Sequence, residues 1–522
     1  MIYSKKICLC GLMLLLICQY SFAQLPEDAL RLSWNTPSGT ARQQAIGGAI
    51  GSLGGEISAV FVNPAGLGMY KNSEFVISPG FRFLKNNTGF RGTDVSGSTT
   101  GNFNLGTSGL VAAFTNENGS SNAFSIAVNQ TSSFKNNLYY QGQNDYSSFS
   151  EQFAEEFANS GLSINDAINS SAVSYGTRMA LYSYLIDTAT INGTNKIIAM
   201  PEKAGLLNQQ NSINSRGSIT EIAFAYAGNF SSLRKWYFGG TLGIPIVVYK
   251  HEQTFVETDA TGNTNNDFAS MIYQESYSSS GFGLNFKAGA IFKAADNLQF
   301  GASIISPSGL FLKDHISSSM ITNTENYAHV ISISSTQLDA GSGFSANQVK
   351  YILNTNWKFL LSGSYIFGGG EQNIKQQKGF ITADIGWITN RTMKYSGDVD
   401  ENGNSTVPNG YFDGVNSAIK SIYKNSFDVH VGGELKFNLF AARLGFAYYT
   451  NPNKQGELKT NRMYFSGGVG YRNKGMFIDL TYVESIANDI NFPYRLSDKS
   501  NTYATIKQTA GTILVTVGFK LL

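Results

Sequence analysis

Three groups of residues in this chain have types and spacings that could do chemistry. The first is a glycine-dense run at residues 47–57, "GGAIGSLGGEI", followed by "SAVFVNPAGLGMY" at 58–70. Backbone N–H groups of such a loop can cradle a phosphate, but that use needs a strand before it and a lysine with serine or threonine after it, and both are missing. The second is "DVDENGN" at 398–404, which sets Asp398, Asp400 and Asn402 at alternate positions before Gly403, like the start of a calcium loop. Its twelfth position is Asn409, where calcium would need a bidentate glutamate, so a solvated hairpin loop is the competing reading. The third is a scatter of nucleophiles and histidines. No G-x-S-x-G is present, and of the four histidines only His430 lies in a predicted strand, with His251, His315 and His329 in or beside loops. No catalysis and no cofactor are expected.

The elements that must position these residues come from the bulk of the chain. Lys5 and Lys6 precede an apolar run from Ile7 to Ile17, and Ser21-Phe22-Ala23 offers a cleavage site, so residues 1–23 read as a secretory signal peptide. Cys18 raises lipidation as an alternative, but Ile17 before it is not small. All three cysteines lie in this leader, so the mature chain must hold its fold without disulfides. Charged residues make up 14% of the chain, against ~25% in soluble domains. Fifty-five glycines and 13% aromatics complete the pattern. The net charge of +2 gives no electrostatic footprint for nucleic acid.

Period-two alternation recurs along most of the chain. In "KWYFGGTLGIPIVVYK", Trp236, Phe238, Leu242, Ile244, Ile246 and Val248 share one face; in "SFDVHVGGELKF", Phe427, Val429, Val431, Leu435 and Phe437 oppose Asp428, His430, Glu434 and Lys436. The pattern predicts strands near 74–84, 103–115, 122–133, 217–230, 235–250, 280–293, 298–313, 348–367, 379–395, 425–438, 441–451, 460–472, 475–486 and 504–521. Short links alternate with long polar ones (134–216 is the longest), which is the rhythm of an all-β transmembrane barrel of about 14 antiparallel strands. A soluble β-sandwich would not produce strands this long so regularly.

Residues 24–72 contain no alternating segment. "TARQQAIGGAIGSLGG" has Ala41, Ala45, Gly48 or Ala49, and Ser52 at helical spacing, with a stop at Gly54-Gly55. The smallness of these residues suits a partly helical hatch packed inside the lumen, with the barrel running from 73 to 522.

The run "GGAIGSLGGEISAVFVNPAGLGMY" directly before the first strand resembles the opening of the FadL/TodX family of outer-membrane transporters for long-chain fatty acids and other hydrophobic compounds, in its Bacteroidetes-like branch. Segments "GLNFKAGAIFKAADNLQFGASIISP" and "YILNTNWKFLLSGSYIFG" and the ending "TVGFKLL" are also similar to that family. The resemblance implies a fourteen-stranded barrel with an N-terminal hatch, and assigns Asn63, Pro64, Ala65 and Gly66 to the hatch motif. It implies the cell outer membrane of a Gram-negative bacterium as the location, and uptake by passive binding and diffusion, with membrane lipid and a hydrophobic small molecule as partners. A monomer delivered by the barrel-assembly machinery is expected. A plugged barrel serving protein secretion or surface interaction, and a haem-capture receptor, are the alternatives.

Binding candidates follow from alternation. Arg82, Lys287 and Arg462 are inward and basic, able to clamp a carboxylate. In the 134–216 loop, Phe149, Phe153 and Phe157 fall at i, i+4 and i+8, and Leu181 and Leu185 mark a second apolar stretch. Two such helices could form a surface groove for hydrophobic molecules or pack on each other as a cap.

Overall fold

The computed structural model describes residues 25–34, 37–115, 120–191, 193–229, 235–342, 348–368, 378–399, 407–455 and 460–521. The leader with its cysteines, and Asp400 and Asn402 of the calcium-like loop, lie outside the described residues.

Fourteen wall strands follow in chain order: β1 (Ser73–Ile77 and Pro79–Phe90), β2 (Thr100–Leu105 and Ser108–Thr115), β3 (Ser121–Ser133 and Asn136–Asn144), β4 (Leu207–Gly228), β5 (Trp236–Asp259), β6 (Ser270–Ala295), β7 (Leu298–Ile305 and Gly309–Asn323), β8 (Gln348–Asn354 and Lys358–Phe367), β9 (Gly379–Ile388 and Lys394–Gly397), β10 (Ser426–Phe437), β11 (Phe440–Tyr449), β12 (Arg462–Asn473), β13 (Met476–Asn491) and β14 (Ala504–Leu521). Each is antiparallel to its neighbours, and β14 returns to β1 with Phe75 opposite Phe519 and Phe81 opposite Ile513, closing the barrel. Closure pairs the backbone groups that an open edge would leave bare in lipid.

The outward faces carry the apolar half of each alternation. Phe81, Phe238, Leu242, Phe286, Leu361, Ile385, Leu444 and Val469 are all exposed. Trp357, Phe359 and Trp387 form a stacked row at one rim, and Trp236, Phe238 and Phe292 another at the opposite end. Such aromatic girdles sit at the two membrane interfaces. Among the described residues no helix is long and apolar enough to cross a membrane.

The strands run further than alternation predicts. β5 continues eleven residues past Val248 to Asp259, and the expected loop 134–216 contributes Asn136–Asn144 and Leu207–Ser215, paired with each other. These extensions stand above the membrane, where the outer face is mostly polar and the inner face mixes apolar residues such as Leu138, Ile213 and Phe255 with polar ones such as Gln209 and Glu257, so no continuous apolar face marks them in sequence.

The N-terminal segment lies inside the barrel. α1 (Pro26–Ser33) begins with proline and two acids in its first turn, as helix starts favour. α2 is only Ala41–Ala45, shorter than the expected run to Gly54, because Gly47 and Gly48 take φ of 68° and 84° and end it. After α3 (Ala59–Val62) comes a 3-10 turn, Pro64–Met69. Small residues let this backbone touch the wall directly, and a side chain at Gly289 would overlap Asn63.

Candidate functional site

Asn63 ties the segment to itself and to the wall. Its Oδ1 accepts from Ala65 N at 3.2 Å, capping the Pro64–Met69 turn, while Nδ2 donates to Gly51 O at 2.6 Å and Ala290 O at 3.2 Å. Pro64, Ala65 and Gly66 are buried within that turn. On the far wall Gly51 N donates to Asp384 Oδ2 at 3.0 Å, and Arg42 Nε donates to Glu434 at 3.2 Å. Glu434 also accepts from Arg443, which donates on to Asp479. The segment is therefore bonded to the wall at several places around it.

Above it, the apolar part of the lumen is already filled. Ala29 and Leu32 of α1 pack into a cluster with Tyr249, Leu312, Tyr351, Tyr395 and Phe412. Ile419 of the helix Asp413–Ile422 joins the same cluster. The open space lies to the other side, a small cavity, partly open to solvent, bounded by Arg82, Asn104, Gln130, Ser133, Tyr464 and Ser485.

That cavity abuts a break in the wall. The lower part of β2 pairs with β3 from Thr115↔Ser121 to Ser108↔Val128, but Thr100–Leu105 forms a ladder with β1 alone. Beyond its interruption at Phe134 and Lys135, β3 pairs with β4 and leans on β1, where Asn86 Nδ2 donates to Asn137 O at 2.6 Å and Thr88 Oγ1 to Tyr139 O at 2.8 Å. Among the described residues no backbone–backbone bond spans the resulting seam: Leu105 N donates to Gln130 Oε1 at 3.1 Å and Asn102 Nδ2 to Ser133 Oγ at 3.3 Å. The neighbouring Phe103 is 61% exposed on the outer face, which places the seam at lipid height.

The three basic candidates separate. Arg82 lines the cavity and has no acidic partner among the described residues. Arg462 stacks over the Trp34 ring at 4.4 Å, with its Nε unpartnered. Lys287 is closed off by an ion pair with Glu221 and by Asn285 Oδ1 at 2.7 Å, so it is not free to clamp a ligand. The pairing was invisible in sequence because Glu221 sits two strands away, on β4.

The long loop is a cap. Phe149, Phe153 and Phe157 of the segment around α4 (Glu151–Ser160) are buried with Leu181, Leu185, Phe255 and Met320 in one closed apolar core. They form no open groove; the spacing was helical as expected, but the partner rings come from distant strand ends. Phe149 stacks on Phe255 at 4.4 Å. Asp398 lies at the end of β9, and among the described residues no group of three acids, histidines or cysteines could hold a metal.

Beneath this core sits Glu257, nine residues beyond Val248, the last exposed large apolar residue of β5, and so outside the membrane. Burial pushes its carboxyl up to about 7, against hydrogen bonds from Ser148, Gln209 and the Phe149 N–H. The packed cap thus holds a proton that the opened cap, near pKa 4.5, releases. The cap is most stable at low pH and loosens as pH rises through 7. Hydrogen-exchange protection factors of α4 should fall between pH 5 and 8, by up to about tenfold per unit below 7. Glu257→Gln should flatten this profile; a profile identical to the parent would refute the assignment.

Fold and site together define a closed fourteen-stranded barrel of the outer-membrane type, with its N-terminal segment bonded to the inner wall and a lumen cavity beside a lateral seam. Among solved structures, a FadL homologue from Pseudomonas aeruginosa is similar over 94% of this chain and 99% of its own, with a TM-score of 0.55 at 11% identity. The toluene transporter TodX of P. putida matches over 93% and 99%, with a TM-score of 0.52 at 12% identity. The fold is therefore that of the FadL/TodX barrels. No protein-family model and no curated protein matches the sequence.

Proposed function

We propose that this protein carries small hydrophobic molecules with an anionic head, such as long-chain fatty acids, passively across the outer membrane. In this reading the molecule enters from the loop side, rests with its head near Arg82, and leaves sideways through the seam between β2 and β3 into lipid. The seam carries the proposal. Unpaired backbone facing lipid is costly, so a barrel that otherwise closes completely has reason to keep such a break only if something uses it. A lateral exit into hydrocarbon suits an apolar body, and the unpartnered guanidinium suits a carboxylate. Of the similar structures, TodX is a toluene transporter, which supports an apolar cargo. Nothing in the route needs bond chemistry.

No cysteine follows Cys18 in the sequence, so a pair introduced as Asn102→Cys with Ser133→Cys can be bridged selectively across the seam by disulfide or a short thiol reagent. Uptake of labelled decanoate should then drop close to that of cells lacking the protein and recover on reduction. Full-rate uptake by the fully bridged barrel would eliminate the lateral route.

A further inference from the structure

We propose that the lumen holds a second, separate binding site, for a small zwitterion carrying an ammonium and a carboxylate, such as a free α-amino acid. It lies on the other side of Arg462 and Tyr464 from the Arg82 cavity, where a second cavity, partly open to solvent, is bounded by Ser33, Trp34, Asn356, Lys358, Asp428 and Tyr449.

The argument rests on polar atoms left without partners at one place. Ser33 Oγ, Trp34 Nε1, Asn356 Oδ1 and Asp428 Oδ1 have no hydrogen-bond partner, although Ser33 and Asn356 are only 3% and 4% exposed. Buried polar groups are almost always paired, by protein, water or ligand. These atoms sort by sign. Asp428 Oδ1 and Asn356 Oδ1 accept; the amide of Asn356 is oriented by its Nδ2 donating to Asn390 Oδ1 at 3.0 Å, which leaves the oxygen as the free atom. The indole N–H of Trp34, the hydroxyl of Ser33 and the ammonium of Lys358 donate. Lys358 closes no ion pair among the described residues, and the other oxygen of Asp428 is 3.7 Å from His430 Nε2.

A ligand that satisfies both sets must present N–H donors to Asp428 and Asn356 and acceptor oxygens to Lys358, Trp34 and Ser33. A fatty acid would leave Asp428 facing a second carboxylate or apolar chain, and a simple amine would leave Lys358 facing like charge. The rings of Trp34 and Tyr449, with Ile388, leave room for a small apolar side chain. Arg462 over Trp34, and Tyr464 edge-on to Tyr449 at 5.5 Å, separate this cavity from the one at Arg82.

Trp34 is also a reporter. The other three tryptophans, Trp236, Trp357 and Trp387, are exposed on the outer face, so replacing them with phenylalanine leaves one emitter in the lumen. Titrating L-alanine into this folded, detergent-solubilised barrel should give a saturable fluorescence change, with acetate and ethylamine weaker by on the order of tenfold or more. Asp428→Asn and Lys358→Met should each weaken alanine binding to a similar extent while retaining heat-modifiable gel migration, which verifies barrel closure. No saturable response to alanine, showing a merely hydrated cavity, would overturn the proposal. So would an equal response to acetate, or undiminished binding in either folded variant. The seam crosslink leaves this cavity untouched, so the two proposals fail independently.

Discussion

Gly445→Val is expected to push the N-terminal segment out of the lumen and convert a blocked barrel into an open pore. Gly445 lies on the inward face of β11, and a Cβ there would overlap the Gly47 N–H and the backbone of Ile46. Backbone cannot swing aside as a side chain does, so either the wall or the segment must move. Overpacking of this kind typically costs about 1–3 kcal/mol, and the wall is held by ladders on both sides, with Gly432 opposite and Ser466 next to it. The segment is held here by fewer bonds: Gly47 N to Ser466 Oγ at 3.2 Å, Thr481 Oγ1 to Ala41 O at 2.6 Å and Ala41 N to Thr516 Oγ1 at 2.7 Å. It should yield first. Planar-bilayer recordings should show conductance well above the parent. Gly467→Val on the neighbouring strand is the control, because its Cβ meets nothing closer than Leu444 at 3.4 Å. Parent-like conductance for Gly445→Val would show that the segment does not plug the barrel.

The wall was legible because lipid imposes a rule on every strand: one face apolar, one not. Trp236 to Val248 and Phe427 to Phe437 announce themselves by that alternation alone. Where the rule lapses, so does the reading. The tops of β3, β4, β5 and β6 stand above the membrane with no continuous apolar face, and in sequence they merge into the loops. The break at Phe134 and Lys135 leaves no local trace either. It becomes a seam only because Thr100–Leu105 lacks a partner, a property of two strands jointly.

The site was partly legible for the same reason. Alternation places Arg82, Lys287 and Arg462 inward, but whether each is free depends on residues far off in the chain: Glu221 for Lys287, Trp34 for Arg462. The helical spacing of Phe149, Phe153 and Phe157 gives an amphipathic face without saying what covers it, and Phe255 and Tyr273 settle that as a closed core. The unpartnered set at Trp34 and Asp428 draws on the segment after α1 and on β8 and β10, so no local spacing signals it. Glycine density was a true signal of close backbone packing, yet sequence could not match Gly445 to Gly47 or Gly289 to Asn63.

The charges that fasten the segment suggest how firmly it is seated. Arg443 is 2% exposed, donating from Nε to Glu434 at 2.7 Å and from Nη1 to Asp479 at 2.6 Å. Glu434 is shared with Arg42 of α2, so one carboxylate links wall to plug. Arg443→Met should leave Asp479, itself fully buried, without its cation and should cost about 3–5 kcal/mol, the usual penalty for stranding one member of a buried pair. The midpoint of urea unfolding of the refolded barrel should drop accordingly. Adding Asp479→Leu to Arg443→Met removes the stranded charge while keeping Glu434 with Arg42, and should recover a large part of the loss, because an apolar replacement for a buried pair is often nearly neutral. If the single variant unfolds like the parent, or the double variant is no more stable than the single, the carboxylates are solvated in the lumen and the plug is held by its backbone contacts alone.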